Sequence, residues 1–350
     1  MENFSQISKK ELNELPIINF IIPAWKEGEN YKLCLESLFK IPYPYIKIIT
    51  NAGGNEETLN IASQFQNFNN FKILHQKSGG GKLKAINDAL ECVNEGLVFL
   101  IDADIILTEE IFYKMVYEVI NKSQDVVFAL LKPHHSQKKN DLVKYIYINR
   151  MFTHFTRRYE GKITPCTCLK YKVVKSIGKF PEKKLYPDGK LMGLTLAEKG
   201  FKISFASCLT ECFNYPDTLR KYFNQNIRWI QNSYIRVVNT REKRFLFKVI
   251  IAIPLFIYIL IFPVFYIINF GLFMIGIYLL IYLYLGRIRK VILFKLTSNS
   301  NFYGKFHPFF YLKLLFYIYI DSLINLYSFL EFYLLRKKGY KKRKNIETEN

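Results

Sequence analysis

The chain has 350 residues, a net charge of +21 and an aromatic content of 17%. That length allows one sizeable domain plus something smaller. A basic balance suits nucleic acid, a membrane surface or anionic small molecules; with no motif of the first class present, nucleic acid is not an expected partner.

Taken in chain order, Ile17 to Ile22 is an apolar run ending at Pro23, which predicts a buried strand. Helical spacing follows from Asn30 to Phe39. Tyr45 to Thr50 predicts a second strand, stopped by Asn51-Ala52-Gly53-Gly54. Thr58 to Phe65 reads as helix and Phe71 to His75 as a third strand. Lys82 to Val93 reads as helix and Leu97 to Ile101 as a fourth strand. Alternating strands and helices imply a mostly parallel α/β sheet, whose ligands sit beyond the strand carboxyl ends. Lys170 to Ser207 is mixed and carries Asp188. Thr218 to Asn239 is amphipathic, with Leu219, Phe223, Ile227, Ile230, Tyr234 and Val238 at helical spacing, as in a helix lying on a membrane surface.

Val249 to Gly286 holds no charged residue in 38 positions. A bilayer core takes about 20 helical residues per span. The run therefore predicts two tight spans turning near Asn269 and Gly271, or one long helix bent at Pro254 and Pro263. Basic clusters at both ends favour the hairpin with cytoplasmic ends. Pro308 to Leu335 is apolar but carries Lys313, Asp321, Asn325, Ser328 and Glu331 near one helical stripe; it spans or lies at the interface. The N-terminus shows no signal-peptide pattern. The expected layout is a catalytic domain over 1–216, an interface helix over 217–245, a hairpin over 246–286, a third hydrophobic helix over 308–335 and a basic tail over 336–350. The expected location is the cell membrane, multi-pass, with the catalytic domain cytoplasmic. Of six cysteines, four fall in a C-x-C and a C-x3-C pair, spacings that do not match zinc pairs, and all six read as free thiols. His134-His135 reads as loop rather than metal pair.

Three short motifs carry chemistry. Asp102-Ala103-Asp104 places two carboxylates where a strand bends into a loop, within reach of a hard cation; alone, it could equally be a loop acid or helix cap. Gly79-Gly80-Gly81-Lys82 precedes a helix, where backbone can approach phosphate; alone, it could be a flexible loop. Gln225-Asn226-Ile227-Arg228-Trp229 puts Gln, Arg and Trp on one helix face, a fork for phosphate and a plate for a sugar ring, or an interfacial anchor.

Together with Ile21-Ile22-Pro23-Ala24-Trp25-Lys26-Glu27, Asn87 and Asp188, these motifs resemble the family 2 glycosyltransferases of GT-A fold. The Gln225-x-x-Arg228-Trp229 element resembles the membrane branch that holds the cellulose, chitin and hyaluronan synthases and the ceramide glucosyltransferases. The resemblance covers roughly Ile17 to Arg241 plus the trailing hydrophobic segments. It implies a nucleotide-sugar donor, Mg2+ or Mn2+ on Asp104 with Asp102 close to the nucleotide, and a donor pocket shaped by Pro23, Trp25, Glu27 and Asn51. Lys82 and Arg228 would face the diphosphate, Gln225 and Trp229 the acceptor, and Asp188 would be the general base of an inverting transfer. The implied partners are a lipid-linked or glycan acceptor and membrane lipids. Two departures stand out. Asn51-Ala52-Gly53-Gly54 replaces the Asp-Asp-Gly-Ser of relatives, which loosens any tie to a UDP-sugar. Pro187 replaces a Glu, so Glu182, Glu211 and Asp217 remain alternative acids. A processive synthase and a catalytically silent nucleotide-binding scaffold remain the alternative functions.

Overall fold

The structure is a computed structural model that describes Leu12 and residues 15–76, 81–156, 164–182, 188–240, 243–297 and 306–334. These fall into two compact units: described residues up to His134 with 164–214, and His135 to 156 with Tyr215 to Leu334.

The first unit carries the sheet. Its elements are β1 (Ile18–Trp25), α1 (Glu29–Phe39), β2 (Ile46–Gly53), α2 (Glu56–Ser63), β3 (Phe71–His75), α3 (Gly81–Leu90), β4 (Leu97–Ile101), β5 (Ile105–Ile106), α4 (Glu109–Ile120) and β6 (Val126–Pro133). After α5 (Asp141–Thr156), which belongs to the second unit, come β7 (Cys166–Lys170), α6 (Tyr171–Ile177), α7 (Asp188–Glu198) and β8 (Ile203–Cys212). The strand order is β3-β2-β1-β4-β7-β6-β8-β5. The first four strands are parallel; β7 runs antiparallel to both β4 and β6. The mostly parallel α/β sheet expected from the sequence is present.

β1 and β2 outrun their expected ends, pairing through to Trp25↔Gly53. Pro23 permits this because of its direction. Ile18 and Lys26 donate their N–H groups toward β2, to Tyr45 O and Gly53 O, so the odd-numbered positions face β4. Pairing to β4 stops at Ile21↔Leu100, leaving no ladder bond at Pro23 to lose. The core is aliphatic along the strands, with Phe20, Phe99 and Phe112 as its aromatic centre; their ring centroids lie 5.1–6.1 Å apart.

The second unit is helical: α5, α8 (Leu219–Thr240), α9 (Lys243–Ile261), α10 (Phe265–Ile268), α11 (Phe270–Thr297) and α12 (Pro308–Leu334). The break between the apolar helices begins at Phe262, earlier than the turn near Asn269 and Gly271 read from the sequence. Pro263 ends α9 because it lacks an N–H, a short 3-10 turn spans Phe262–Val264, and Asn269 leaves helical geometry. Asn269 Oδ1 then accepts from Leu272 N at 3.1 Å and caps α11. The two arms meet at Gly276, where any Cβ would lie 2.4 Å from the Phe262 ring. Tyr258 closes the contact by donating to Leu272 O at 2.5 Å. α11 runs on well past Gly286, carrying Arg287 and Lys290 to Asn149 of α5. By length and composition, Phe270–Leu296 and Pro308–Tyr333 could each cross a membrane.

Candidate active site

In the first unit the carboxyl ends of β1, β2 and β4 form one edge. Chain direction alone brings Pro23, Trp25, Glu27, Asn51, Asp102 and Asp104 there, on the segments where these strands end. Lys82, in the first turn of α3, bonds the Asp102 carboxylate. Gly79 and Gly80 of the glycine run lie outside the described residues.

The backbone holding the two aspartates is clamped on every side. Asp102 N donates to Pro165 O at 3.0 Å, and Asp102 O accepts from Ile105 N at 3.1 Å and from the Cys34 thiol at 3.6 Å. Asp104 O accepts from Phe213 N at 3.0 Å, and Ala103 is buried between the two acids. The carboxylates therefore point from a fixed frame. Asp104 Oδ1 is closed off from solvent and has no hydrogen-bond partner among the described residues. An unpaired buried carboxylate oxygen costs free energy, and the system responds by favouring the protonated form. Burial raises the Asp104 carboxyl above its usual range, and the charges of Asp102 and Glu27 push it the same way. Glu27 is raised too, mainly by burial and then by the charge of Asp102, against the pull of Lys82. Asp102 and Asp104 thus offer two carboxylates at one turn, with the Lys82 ammonium on Asp102. That donor set fits a hard divalent cation, which takes carboxylate oxygens and would relieve this repulsion.

The walls of the edge are set by close backbone approach. Lys26 adopts φ 58°, a turn that folds the chain back under Trp25. Gly54, at φ 91°, passes so near that a Cβ would lie 2.7–2.9 Å from Lys26 and Trp25. Thr58 Oγ1 accepts from Glu27 N at 2.7 Å and lies 2.8 Å from Glu27 O, while Asn55 caps the same helix. Asn51 is buried; its amide donates to Ala85 O at 3.1 Å, and its Oδ1 has no partner among the described residues.

Asp188 opens α7, but its side chain lies outside the described residues. Asn87, quoted in the family pattern, braces the approach to that helix: it donates to Phe180 O at 2.9 Å and to Glu182 Oε1 at 3.0 Å, and accepts from Phe180 N at 2.9 Å. The alternative acids have partners of their own. Glu211 lies 3.3 Å from Lys132 and 3.7 Å from His134, whose ring packs on Phe213 at 4.1 Å, and Asp217 pairs with Lys221 at 2.8 Å. All six cysteines are free, and burial pushes the Cys34, Cys166, Cys168 and Cys208 thiols up, which makes them poor nucleophiles.

In the second unit α8 carries Gln225, Arg228 and Trp229. Sequence spacing places the three on one face; the structure gives two of them a shared partner on α5. Arg150 donates to Gln225 Oε1 at 3.1 Å, and its guanidinium lies 4.4 Å from the Tyr215 ring centroid and 4.8 Å from that of Trp229. Arg228 is exposed, and Trp229 is partly so. Arg150 escaped the sequence reading because it belongs to no motif; only the helix pairing reveals it.

A largely parallel sheet whose fourth strand runs into a clamped acidic turn, answered by a lysine at a helix start, has the architecture of a GT-A sugar-transferring enzyme. The profile described as "Glycosyltransferase like family 2" matches residues 16–232, and the chain belongs to that family of glycosyltransferases. It is 26% identical over 115 residues to the poly-beta-1,6-N-acetyl-D-glucosamine synthase of Staphylococcus epidermidis, covering 33% of this chain and 28% of the synthase. Against glycosyltransferase AglE of Haloferax volcanii it is 21% identical over 217 residues, 60% of this chain and 71% of AglE. The chain thus spans under a third of the synthase's length. Among solved structures, mannosyltransferase PcManGT from Pyrobaculum calidifontis, in complex with GDP-Man and Mn2+, superposes with a TM-score of 0.50 at 14% identity, over 66% of this chain and 68% of that one; the likeness is one of fold.

Proposed function

We propose that this glycosyltransferase moves one sugar from a nucleotide-diphosphate sugar to the hydroxyl of a lipid-linked or glycan acceptor at the cytoplasmic membrane face, with inversion at the anomeric carbon. The observation that carries the reading is the shielded Asp104 Oδ1, without a partner among the described residues, beside the Lys82–Asp102 pair at the end of β4. Asp104 and Asp102 would hold Mg2+ or Mn2+. When bound, the cation supplies Lewis-acid stabilisation of the departing diphosphate. Lys82 adds a second positive charge from the first turn of α3, and Arg228, exposed on α8, adds a third. Trp25, Pro23 and Glu27 shape the nucleotide pocket, and the Asn51 carbonyl oxygen offers the base a hydrogen-bond acceptor. Asp188 takes the proton of the acceptor hydroxyl as its oxygen bonds the anomeric carbon; the bond from that carbon to the diphosphate oxygen breaks, and its electron pair leaves with the diphosphate. Gln225 and Trp229 line the acceptor side, with Arg150 holding both.

The apolar α9–α11 hairpin supports membrane attachment as in the membrane branch of the family, since its outer surface exposes Ile267, Ile275, Tyr278 and Tyr282. The two candidate spans among the described residues favour a single transfer over an extruded polymer.

The test uses the full chain in membranes with Mn2+ or Mg2+, a panel of nucleotide sugars, and release of nucleotide diphosphate as readout. We expect release from one or two donors, abolished by chelator and strongly reduced by Asp104→Asn and by Asp188→Asn. Activity that survives Asp188→Asn would remove that residue as base and move attention to Glu182, Glu211 and Asp217. No release from any donor with lipid extract supplied would sink the transferase reading in favour of a silent scaffold.

A further inference from the structure

α12 meets the length and hydropathy of a membrane span, yet its three charged side chains are answered by α5 and α8, helices too polar to cross a bilayer, and Asp321 also by Arg287 of the apolar α11. Near its start Lys313 pairs with Asp141 of α5 at 2.6 Å. At its middle the Asp321 carboxylate accepts from Tyr145 of α5 at 2.5 Å, from Tyr222 of α8 at 2.6 Å and from Arg287 of α11 at 2.7 Å. Near its end Glu331 accepts from Gln231 of α8 at 2.5 Å. Tyr317 stacks on Tyr145 at 4.5 Å, and Tyr327 packs on Phe223 at 5.4 Å.

From Lys313 to Glu331 the helix rises about 27 Å, close to the roughly 30 Å of a hydrocarbon core. If α12 crossed, α5 and α8 would have to follow it through the lipid. α8 exposes Arg220, Lys221, Asn224 and Arg228, and burying such groups in hydrocarbon is prohibitive. The opposite side of α12 is apolar and open: Phe309, Leu312, Phe316, Leu323 and Leu330 are exposed at steps of three, four and seven residues, one stripe running end to end.

We propose that α12 does not span but lies in the plane of the membrane, with this stripe seated among the lipids and its polar side fastening α5 and α8 to the surface. The occupant is an anionic bilayer surface. Its apolar layer matches the stripe and is continuous with the lipid around the exposed α9–α11 hairpin; its charge matches Arg220, Lys221 and a chain of net charge +21. Because α5 and α8 also carry Arg150, Gln225 and Trp229, the same helix would fix the acceptor-side residues close to the membrane. This inference rests on the membrane attachment proposed above.

Depth-dependent fluorescence quenching tests it. The full chain is reconstituted in vesicles containing phosphatidylglycerol and phosphatidylcholine brominated either high or low on the acyl chains. Tryptophan is introduced singly by Leu312→Trp, Phe316→Trp, Leu323→Trp or Leu330→Trp, with Ile275→Trp on α11 as reference, and quenching is read as the loss beyond that of the parent's two tryptophans. We expect equal loss at all four α12 positions, greater with the high bromines, and greater loss at Ile275→Trp with the low ones. Quenching by the low bromines that peaks at Leu323→Trp and fades toward both ends would show a span and overturn the proposal. No quenching on α12 while Ile275→Trp is quenched would overturn it too, leaving membrane attachment intact. If Ile275→Trp is also silent, membrane attachment itself fails and the proposal with it.

Discussion

The two units solve opposite problems with charge. The first sets like charges against its buried acids: burial and then the charges of Asp102 and Glu27 raise the Asp104 carboxyl, burial and then Asp102 raise Glu27, and Asp104 Oδ1 has no partner among the described residues. The second gives its central acid three donors, so that Asp321 accepts from two tyrosines and an arginine. An acid without a partner suits the cation site proposed above; an acid with three donors suits a joint between helices. Burial alone does not distinguish function from structure, but the count of partners does.

The sharpest way to break this comparison is Asp104→Asn. Nucleotide release should fall about 10³-fold, the scale for losing a group that stabilises developing charge. Stability should move the other way. The Asp104 carboxyl sits at about 7, above the ordinary carboxylate value, because burial and like charges disfavour its ionised form. Without metal its ionisation therefore costs stability as pH rises from the ordinary value through about 7, and the full cost is present above that. Asparagine mimics the protonated form. Metal-free Asp104→Asn should thus melt higher than the parent at pH 8 and equal to it at pH 4, while the rise in melting temperature given by Mn2+ should vanish. A variant that melts lower at pH 8 would show that Asp104 is a structural acid.

Asp321→Ala tests the other half. It strips three donors of their acceptor at once, and losing one partner of a buried ion pair costs about 3–5 kcal/mol. We expect limited proteolysis to cut within α8 and α12 far faster than in the parent, with the Mn2+ response of the first unit unchanged. Loss of both together would mean that the units do not fold independently.

Arg150→Lys has a smaller expected effect. Lysine keeps the charge but loses the planar fork that reaches Gln225 and lies against Tyr215 and Trp229. The KM for acceptor should rise about tenfold, as for a loss of some 1.4 kcal/mol, with the donor KM and pH profile unmoved. An equal rise in both would make Arg150 a general support rather than an acceptor-side positioning residue.

The parallel half of the sheet was legible because each strand is an apolar run ended by Asn, Gly or acidic residues, and because all four run the same way. Only their ends were misjudged: Pro23 and Gly53 read as stops, yet Pro23 falls where β4 no longer pairs and Gly53 still has Trp25 opposite. The other strands were not legible, although β6 and β8 run the same way as the first four and only β7 and the short β5 oppose them. β6, β7 and β8 are distant in sequence and meet only in space, and Cys166-Thr167-Cys168 gave no sign beyond packing. The acidic pair and Lys82 were legible as separate motifs; their mutual contact was not, since it depends on α3 packing on β1 and β2 beside the end of β4. The polar stripe on α12 was visible in the sequence, but which helices answer it was not. Arg150 carries no local pattern at all.

The smallest effect is expected at Thr58, and it tests how the first unit shapes its donor edge. Thr58 Oγ1 accepts the Glu27 N–H and contacts the Glu27 carbonyl, tying the start of α2 to the loop that carries Glu27. Thr58 is fully buried, so Thr58→Val keeps the shape and removes the acceptor, leaving a partly buried N–H unmet at a cost of about 1–3 kcal/mol. Thr58→Ser keeps the oxygen and loses only a methyl. We expect the valine variant to melt a few degrees lower and to show a several-fold higher KM for donor at unchanged kcat, with the serine variant close to the parent in KM. If valine and serine shift the KM equally, the methyl's packing rather than the hydrogen bond sets the loop. Glu27 would then be held by the strained Lys26 turn and the close pass of Gly54, the two features that crowd Trp25 from the other side.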